Sequence, residues 1–546
     1  MMQQFAHQLR SLLRDADRWL VYASILSLLI GLPFLAIGLG ALEGVGEMWQ
    51  HVLRHLLPGY LLNSLLLIVG TSLLTLFIGV SSAWVVSSYE FRFRQTAELL
   101  LFLPLAIPSY IMAYAYTGIF DNGGTWIALG KSLGLNLPKI DLMNPLGLIW
   151  VLGLSLFPYV YVSARVAFQN LSSSLQESAY LLGASHRSYF RTIALPLASP
   201  AVIGGLFLVI MEVLNDYGAA KYYGVQTFTT GIFRTWNFLN DLQSAIYLAV
   251  ILVALVFVLG WLERLRRGRR SYALTGRREQ GREQRRALPK GGKRLLCLFV
   301  ILLPILAGLV LPLAQLTYWA LMTIGDQWSK ALLWTSLQSF GLASTVAVLA
   351  LICSFCLIYY SRWSRSRLTR VYPRLVSIGY VMPGAIIGIG IIGALQWLVD
   401  FFASGLDWKI GAYVYNSLFI LLYAYLFRFL AVAYGPIEAE NIRIGRQLAE
   451  SSSLLGKKPL STLFNIDIPL LTQSALSAFA LVFIDAMKEL PLTLLLKPYD
   501  VQTLSMTAYQ YADDELVQQA GLPALLLISV VGLLLALLKN RLLSRE

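Results

Sequence analysis

Charged residues are scarce in this chain. Asp, Glu, Lys and Arg make up 13% of its 546 residues, whereas about 25% is usual for soluble globular domains. Hydrophobic residues make up 57%, and the mean hydropathy is +0.66. This composition excludes an ordinary soluble domain and predicts that most of the chain lies in lipid.

Cysteine and histidine are also rare, with three and four residues. Cys353 and Cys356 lie three positions apart in an apolar run, but no second Cys or His pair accompanies them, which argues against a zinc site. We interpret them as small packing residues. His51 and His55 would supply two metal ligands at most. The sequence therefore predicts no firm metal site.

The chain lacks a phosphate-binding loop of the form G-x-x-x-x-G-K-[ST]. Gly292-Lys293 is followed by Arg, and Gly456-Lys457 is followed by Lys. Such a loop supplies the backbone cradle and the magnesium ligand for a nucleotide. No nucleophile–base arrangement is recognisable either. We expect that this chain is not an enzyme and binds no cofactor itself.

Long uncharged apolar runs are plentiful, and about 20 apolar residues suffice to cross a bilayer as a helix. Such runs occupy 19–41, 60–88, 99–120, 142–164, 192–211, 242–262, 295–325, 331–361, 375–399, 410–427, 468–484 and 516–538. The predicted fold class is an all-α membrane protein with twelve transmembrane helices in two six-helix halves. Pro108 and Pro383-Gly384 are predicted to kink or break their spans.

Positive charge is plentiful, with a net charge of +14 and an isoelectric point of about 9.6. In the twelve-span arrangement most of the 43 Lys and Arg residues fall on one side. The other side has only Arg54, Lys131, Lys139, Lys221, Arg234, Lys330, Lys409 and Lys497. The positive-inside rule then places both termini in the cytoplasm. We interpret the basic run at 264–270 as a topology anchor touching membrane lipid, and expect no nucleic-acid partner.

The two halves repeat each other. ESAYLLGASHRSYFRTIALPL starts at Glu177, and ESSSLLGKKPLSTLFNIDIPL starts at Glu450, which is 273 residues later and half the chain length. A polar stretch at 263–294 joins the halves and is predicted to be a cytoplasmic linker. The predicted organisation is a tail with the first span (1–58), a first transmembrane domain (59–262), the linker, the first span of the second half (295–331) and a second transmembrane domain (332–538).

Each copy of the repeat predicts a helix, a Gly that ends it, and a second short helix that runs to a Pro. The candidate residues are Glu177, Ala179, Gly183, Ile193 and Pro196 in the first copy, and Glu450, Ser452, Gly456, Ile466 and Pro469 in the second. One interpretation is a helix lying on the lipid surface. We favour a helix presented to a soluble partner, because the pattern occurs twice.

A Glu followed by two small residues, a Gly and then Ile-x-Leu-Pro resembles the cytoplasmic loops of type I ATP-binding-cassette importer permeases. The resemblance covers both halves and implies that fold. It further implies that each loop is a coupling helix, that two copies of a separate ATPase hold ATP and Mg, that a periplasmic binding protein delivers the cargo, and that the chain lies in a bacterial inner membrane.

The stretches 103–116, 212–236 and 487–506 resemble the fused iron(III) permeases more narrowly. The resemblance implies that the cargo is ferric iron. Fused thiamine permeases share the two-copy layout, so thiamine or another small solute is the alternative cargo. A secondary transporter driven by an ion gradient also has paired six-span halves, but it would leave the paired loops without a role.

Ionisable residues within spans are costly and are therefore functional candidates. The ionisable candidates for the translocation pathway are Glu212, Asp216, Asp485, Lys488, Glu489 and Arg428. Tyr217, Tyr222 and Tyr223 are candidates for additional ligands or hydrogen-bond donors. Each acidic pair is spaced i, i+4, which predicts one helix face. We weigh direct contact with the cargo against structural or gating roles, including an ion pair between Lys488 and Asp485.

Overall fold

The computed structural model describes residues 31–267, 286–363, 376, 379, 382–403, 417–445, 447–457 and 459–542. Within these ranges the chain is helical, and no β-strand occurs apart from one isolated bridge between Tyr89 and Ala287. Because lipid offers no hydrogen-bond partners, helices that satisfy their own backbone groups are the expected solution for an apolar chain. The all-α fold class is confirmed.

The helices of the first half and of the connection are α1 (Gly31–Gly40), α2 (Trp49–Ser88), α3 (Arg94–Ala106), α4 (Ser109–Phe120), α5 (Thr125–Ser132), α6 (Pro145–Gln169), α7 (Ser173–Leu181), α8 (His186–Asn215), α9 (Gly218–Tyr222), α10 (Phe228–Asn237) and α11 (Leu242–Arg267). Those of the second half are α12 (Gly292–Gln327), α13 (Lys330–Trp363), α14 (Gly384–Ala403), α15 (Leu418–Ile444), α16 (Gln447–Leu454), α17 (Pro459–Thr462), α18 (Leu463–Lys488), α19 (Pro491–Leu496), α20 (Leu504–Asp513) and α21 (Gly521–Leu542).

Nine of these described helices are long and apolar enough to cross a membrane, and a bent pair makes a tenth. The two shorter apolar helices, α1 and Gly384–Trp397 within α14, lie in the predicted spans 19–41 and 375–399. The remainder of the first of these spans lies outside the described residues. The described part of every predicted span thus contains a helix.

Prolines shape the spans in two ways. Pro108 separates α3 from the segment Ser109–Ser132, which contains α4 and α5, and the chain bends by 97° at this break. Helix α14 starts directly after Pro383. These breaks were predicted. The sequence reasoning missed four π-helical turns, each ending two residues before a proline: Val52–Leu56, Phe190–Ala194, Leu306–Val310 and Leu463–Asp467. A proline ring displaces the carbonyl four residues earlier, and a wider turn accommodates it.

The chain forms two compact units that do not follow chain order. Unit A consists of the described residues of 1–44, 334–503 and 537–542, and unit B of those of 45–333 and 504–536. Each unit therefore takes segments from both halves of the sequence. The domain boundaries predicted from the repeat stay a prediction.

Unit B is held together by close helix contacts at small residues. A Cβ at Gly79 of α2 would come within 2.8 Å of the Val160 side chain on α6, and one at Gly205 of α8 within 2.8 Å of the Tyr159 carbonyl. The ring of Trp319 fills the space over Gly118. Small residues at membrane helix interfaces permit this close approach.

Unit A uses the same device. A Cβ at Gly390 of α14 would come within 2.8 Å of the Pro33 carbonyl of α1, and the Phe34 ring lies 5.7 Å from that of Phe427 on α15. The described part of the first span therefore packs on helices of the second half.

The linker is described only at its ends, and 268–285 lie outside the described residues. Within unit B its last residues pair with the end of α2, because Glu90 donates its backbone N–H to the Ala287 carbonyl at 3.1 Å and Ala287 donates to the Ser88 carbonyl at 3.0 Å. Arg286 adds an ion pair with Glu90 at 3.3 Å.

Candidate functional site

The first repeated loop folds as the sequence predicts. Helix α7 ends at Leu181, Gly183 follows with a φ of +84°, and α8 starts at His186. The turn is closed by hydrogen bonds from Gly183 N to the Tyr180 carbonyl and from Ala184 N to the Ala179 carbonyl, both 3.0 Å. This is a Schellman ending, in which the residue after the helix needs left-handed backbone angles.

The second loop has the same geometry. Helix α16 ends at Leu454, and Gly456 has a φ of +73°. Lys457 N donates to the Ser452 carbonyl at 3.2 Å, at the positions equivalent to Ala184 and Ala179. Nothing lies within 4 Å of a Cβ built on either glycine. Glycine is therefore required here for its backbone angles, because left-handed angles cost other residues about 1–2 kcal/mol.

The small residue of each triplet holds its loop together. Ala179 is buried, as is Tyr189 on the next helix. At the equivalent places of the second loop, the Ser452 and Thr462 hydroxyls are hydrogen-bonded at 2.7 Å. The small residue and the residue ten positions after it thus both differ between the two loops. Glu177, Pro196 and Pro469 are exposed and Ile193 and Ile466 half-buried, whereas the Glu450 side chain lies outside the described residues.

Each loop exposes a pair of leucines just before its glycine. Leu181 and Leu182 are 89% and 88% exposed, and their equivalents Leu454 and Leu455 are 88% and 81% exposed. The sequence reasoning did not single out these residues, although the triplet Leu-Leu-Gly in both copies was the signal that could have found them. Apolar side chains exposed to this degree on a folded loop mark a surface that another molecule covers.

Aromatic contacts anchor the first loop to the end of α2. The His186 ring lies 5.2 Å from Trp84 and 5.0 Å from Tyr89, and its Nδ1 is 2.7 Å from the Tyr180 hydroxyl. Tyr89 is also the residue bridged by the end of the linker. The first loop, the end of a span and the linker therefore meet at one place in unit B.

The predicted acidic helix faces are wrong in one respect. Helix α8 ends at Asn215, and Asp216 follows it with an extended ψ of 123°. Glu489 likewise follows α18, with a ψ of 125°. The second acid of each pair therefore lies beyond the helix that carries the first, and it starts the break that leads into the next short helix.

Asp216 is buried and ties together three segments of unit B. Its carboxylate accepts hydrogen bonds from the Ser109 hydroxyl and, at 2.9 Å, from the backbone N–H of Ala220 in α9. The hydroxyl of Thr229 donates to its backbone carbonyl at 2.6 Å. Asp216 thus joins the end of α8 to the start of α4 and to α9.

Glu489 does the equivalent in unit A with a different partner. Its Oε1 accepts from Leu492 N at 3.0 Å, and its Oε2 lies 3.4 Å from Arg428 Nε on α15. Both side chains are buried. Gly384 is the first residue of α14, directly after Pro383. A Cβ built on it would come within 2.5 Å of the Arg428 guanidinium.

The residues at two equivalent positions around these acids differ between the halves. In the first half Ser109 follows the proline break and donates to the acid, and Ser155 stands at the position equivalent to Arg428. In the second half Gly384 leaves the space that Arg428 fills. Both acids thus have hydrogen-bond or ion-pair partners within the protein.

The remaining pathway candidates lie near these connections. Lys488 pairs with Asp485 at 3.6 Å, which confirms the alternative considered from the sequence. Asn215 stands at the position equivalent to Lys488, so the first half lacks that cation. The Tyr217 ring stacks on Phe233 with 3.9 Å between centroids. No group of three His, Cys, Asp or Glu side chains that could hold a metal occurs among the described residues.

A buried ionic cluster at the other end of unit B was also missed. Glu98 contacts Arg94 at 2.5 Å and Arg165 at 2.7 Å, and all three are buried. Through Arg165, Glu98 therefore joins α3 to the end of α6. The signal was a Glu and two Arg at the edges of predicted spans, of which only the two Arg were considered, as charges that set the topology.

Comparison with known proteins gives matches over both halves. The family described as "Binding-protein-dependent transport system inner membrane component" matches residues 75–270 and 347–545. The chain is 27% identical over 529 residues to the Fe(3+)-transport system permease protein FbpB 2 of Haemophilus influenzae, covering 95% of this chain and 98% of that protein. It is 26% identical over 147 residues to the sulfate transport system permease protein CysT of Salmonella typhimurium, covering 26% of this chain and 50% of that protein. The internal duplication and the resemblance to fused permeases are confirmed.

Proposed function

We propose that this chain, which belongs to the family of inner membrane components of binding-protein-dependent transport systems, carries ferric iron across the membrane. As a family member it is a multi-span transport subunit. The observation that supports iron is the similarity over 95% of this chain and 98% of an Fe(3+) permease, both halves included. The similarity to the sulfate permease covers only 26% of this chain.

The two repeated loops are the proposed docking points for the ATPase, one ATPase copy on each. Three features support this assignment. The loops have the same helix–Gly–helix geometry, each glycine is required by its positive φ, and each loop presents a nearly fully exposed leucine pair. An apolar side chain that enters a groove of a partner is a common way to hold a short helix. ATP and Mg would bind to the ATPase.

The proposed orientation has the loops and both termini in the cytoplasm. Helix α8 is 30 residues long, so its far end lies about 45 Å from the first loop at 1.5 Å per residue. The short helices α9 and α10 follow at that far end. This side would receive the cargo from a periplasmic binding protein, and lipid would surround the spans.

Transport in this scheme depends on small rotations that the loops transmit. Helix α8 continues from the first loop to Asp216 without a break, apart from the π-turn at Phe190–Ala194. A displacement of the loop by the ATPase would therefore move the far end of α8, and with it α9 and the start of α4, which Asp216 holds together. Helix α18 and Glu489 would act in the same way in unit A. A partner changes such an equilibrium only through contacts that differ between the two states.

The buried acids serve this scheme better as connectors than as ligands for the cargo. Their oxygens already accept hydrogen bonds or contact Arg428. A conduit must also release its cargo, which a tight cage of hard oxygen ligands would prevent.

Reconstitution tests the cargo. We expect vesicles with the permease, its ATPase and the binding protein to accumulate radiolabelled Fe(III) when ATP is supplied, and excess thiamine or sulfate to leave the rate unchanged. Accumulation of labelled thiamine or sulfate, without accumulation of iron, would contradict the assignment of iron. A vesicle set prepared with a non-hydrolysable ATP analogue is the control for passive binding.

A further inference from the structure

An exposed ion pair joins two helices at the far end of unit B. Lys221 of α9 contacts both carboxylate oxygens of Asp513 on α20, at 2.8 and 2.9 Å. The side chains are 33% and 45% exposed. The ammonium also lies 5.5 Å from the centre of the Tyr509 ring. A carboxylate beside an aromatic face is a favourable position for a cation, and here a lysine occupies it.

The aromatic residues beside this pair come from both halves of the sequence. Tyr217 stacks on Phe233 at 3.9 Å and lies 6.1 Å from Tyr509. Phe233 and Tyr509 are equivalent residues, because VQTFTT at 225–230 and VQTLSM at 501–506 are 276 residues apart. The two rings beside Tyr217 therefore come from equivalent positions of the two repeats. The cluster thus lies where segments of both repeats meet within unit B.

The ion pair itself is not repeated. At this offset Lys497 stands where a second Lys221 would lie, but Asn237 stands where a second Asp513 would lie, so the carboxylate has no counterpart. If the pair served only to hold α9 to its neighbour, we would expect an equivalent ion pair in the other repeat. Its occurrence in one repeat alone points to a use at a single place.

Further oxygen atoms lie next to the pair. The Tyr114 ring is 4.5 Å from that of Tyr222, the residue after Lys221. Tyr114 is only 1% exposed, and within the described part of the chain its hydroxyl has no hydrogen-bond partner. A buried hydroxyl without a partner is unfavourable, so a polar or charged guest would improve its environment.

We propose that Asp513, with the tyrosines around it, is a binding site for a cationic cargo, and that the Lys221 ammonium fills this site when no cargo is present. Only the identity of the cation, Fe(III), rests on the function proposed above. Carboxylate and phenol oxygens are the hard ligands that a trivalent metal prefers. An arriving cation would displace Lys221, which would free α9 from α20.

The low strength of the pair suits this exchange. Ion pairs as exposed as this one contribute little to stability, because water screens them and both side chains lose freedom. Lys221 is therefore easily displaced, and a single carboxylate holds the guest loosely enough for it to move on. A strong structural bridge would do neither.

Opposite effects of removing the two charges test the proposal. In Fe(III) uptake by reconstituted vesicles, Lys221→Met removes the competing cation and is expected to lower the KM about two- to five-fold, whereas Asp513→Asn removes the site and is expected to raise it by a similar factor. Lys131→Met, which removes an exposed lysine of α5, is the matched control and should leave the KM unchanged. If Lys221→Met and Asp513→Asn change the KM in the same direction, or do not change it, the pair is structural and the proposal is wrong.

A second measurement needs no cargo. In a chain whose three cysteines are replaced by alanine, Ala220→Cys places a thiol at a position in α9 that is 1% exposed. We expect Lys221→Met and Asp513→Asn each to raise its labelling by an impermeant maleimide about two- to five-fold, because either change frees α9. Labelling no faster than in the Lys131→Met control would overturn the proposal. Absence of iron uptake by the unaltered chain, with the labelling result as expected, would refute only the assignment of iron.

Discussion

Replacing Leu181, Leu182, Leu454 and Leu455 by aspartate should abolish ATP-driven transport and leave the permease folded. The four side chains are 81–89% exposed, so the fold loses no packing with them. In the proposed complex they enter apolar grooves of the ATPase, where burying a leucine contributes about 1.5–3 kcal/mol. Loss of two leucines on one loop therefore removes about 3–6 kcal/mol, which weakens binding by more than about a hundredfold.

Co-purification of the ATPase with the permease measures this effect. Leu133→Asp with Leu135→Asp is the matched control, because these leucines are 64% and 53% exposed and belong to the connection between α5 and α6 at the end away from the loops. The control should bind the ATPase like the unaltered chain. If the fourfold variant retains the ATPase and its uptake rate, the leucine pairs are not the docking surface.

Removing the charge of Arg428 should cause the largest loss of stability. Arg428→Met leaves Glu489 as a buried carboxylate without its cation, and breaking a buried pair in this way costs about 3–5 kcal/mol. Arg428→Met combined with Glu489→Gln removes both charges and should recover most of that loss, because a neutral amide can still accept from Leu492 N. The free energy of unfolding in detergent is the quantity to compare.

The first half of the chain supplies a second rescue. Gly384→Ser alone should be destabilising, because its Cβ would lie 2.5 Å from the Arg428 guanidinium. Together with Arg428→Ser it rebuilds the Ser109, Ser155 and Asp216 arrangement around Glu489 and should be more stable than either single change. Stability of Arg428→Met equal to that of the unaltered chain would contradict the role assigned to this pair, as would simple additivity of the two serine changes.

The loops could be predicted closely because their determinants are local. A glycine with positive φ, a helix before it and a proline after it are encoded within some 20 residues, and the repetition distinguishes signal from chance. Gly183 and Gly456 accordingly have the backbone angles that the pattern requires. The exposed leucines were not among the candidate residues, because the pattern was defined by its Glu, Gly, Ile and Pro positions.

The acidic residues show where spacing alone fails. An i, i+4 pair faces one side only if the helix continues, and α8 and α18 end one residue before Asp216 and Glu489. A local signal was present in the second half, where Pro491 fits the start of a new helix after Glu489. The partners of these acids, Ser109 and Arg428, come from distant segments, and nothing in their spacing announces the contact.

The composition of units A and B depends entirely on tertiary packing. Apolar runs predict that a span exists but not which helices it contacts, because lipid-facing and helix-facing surfaces are both apolar. The contacts of α1 with α14 and α15 through Pro33 and Phe34 therefore could not be read from chain order. The same holds for α20, which joins unit B and brings Asp513 to Lys221.

The dependence of transport on a separate ATPase is the central claim, and uphill uptake in sealed vesicles tests it most directly. Vesicles containing the permease and the binding protein are compared with and without the ATPase, in the presence of ATP and of imposed proton and sodium gradients. We predict accumulation of the cargo above its outside concentration only when the ATPase is present and hydrolyses ATP. Accumulation by the permease alone, driven by either ion gradient, would contradict the account.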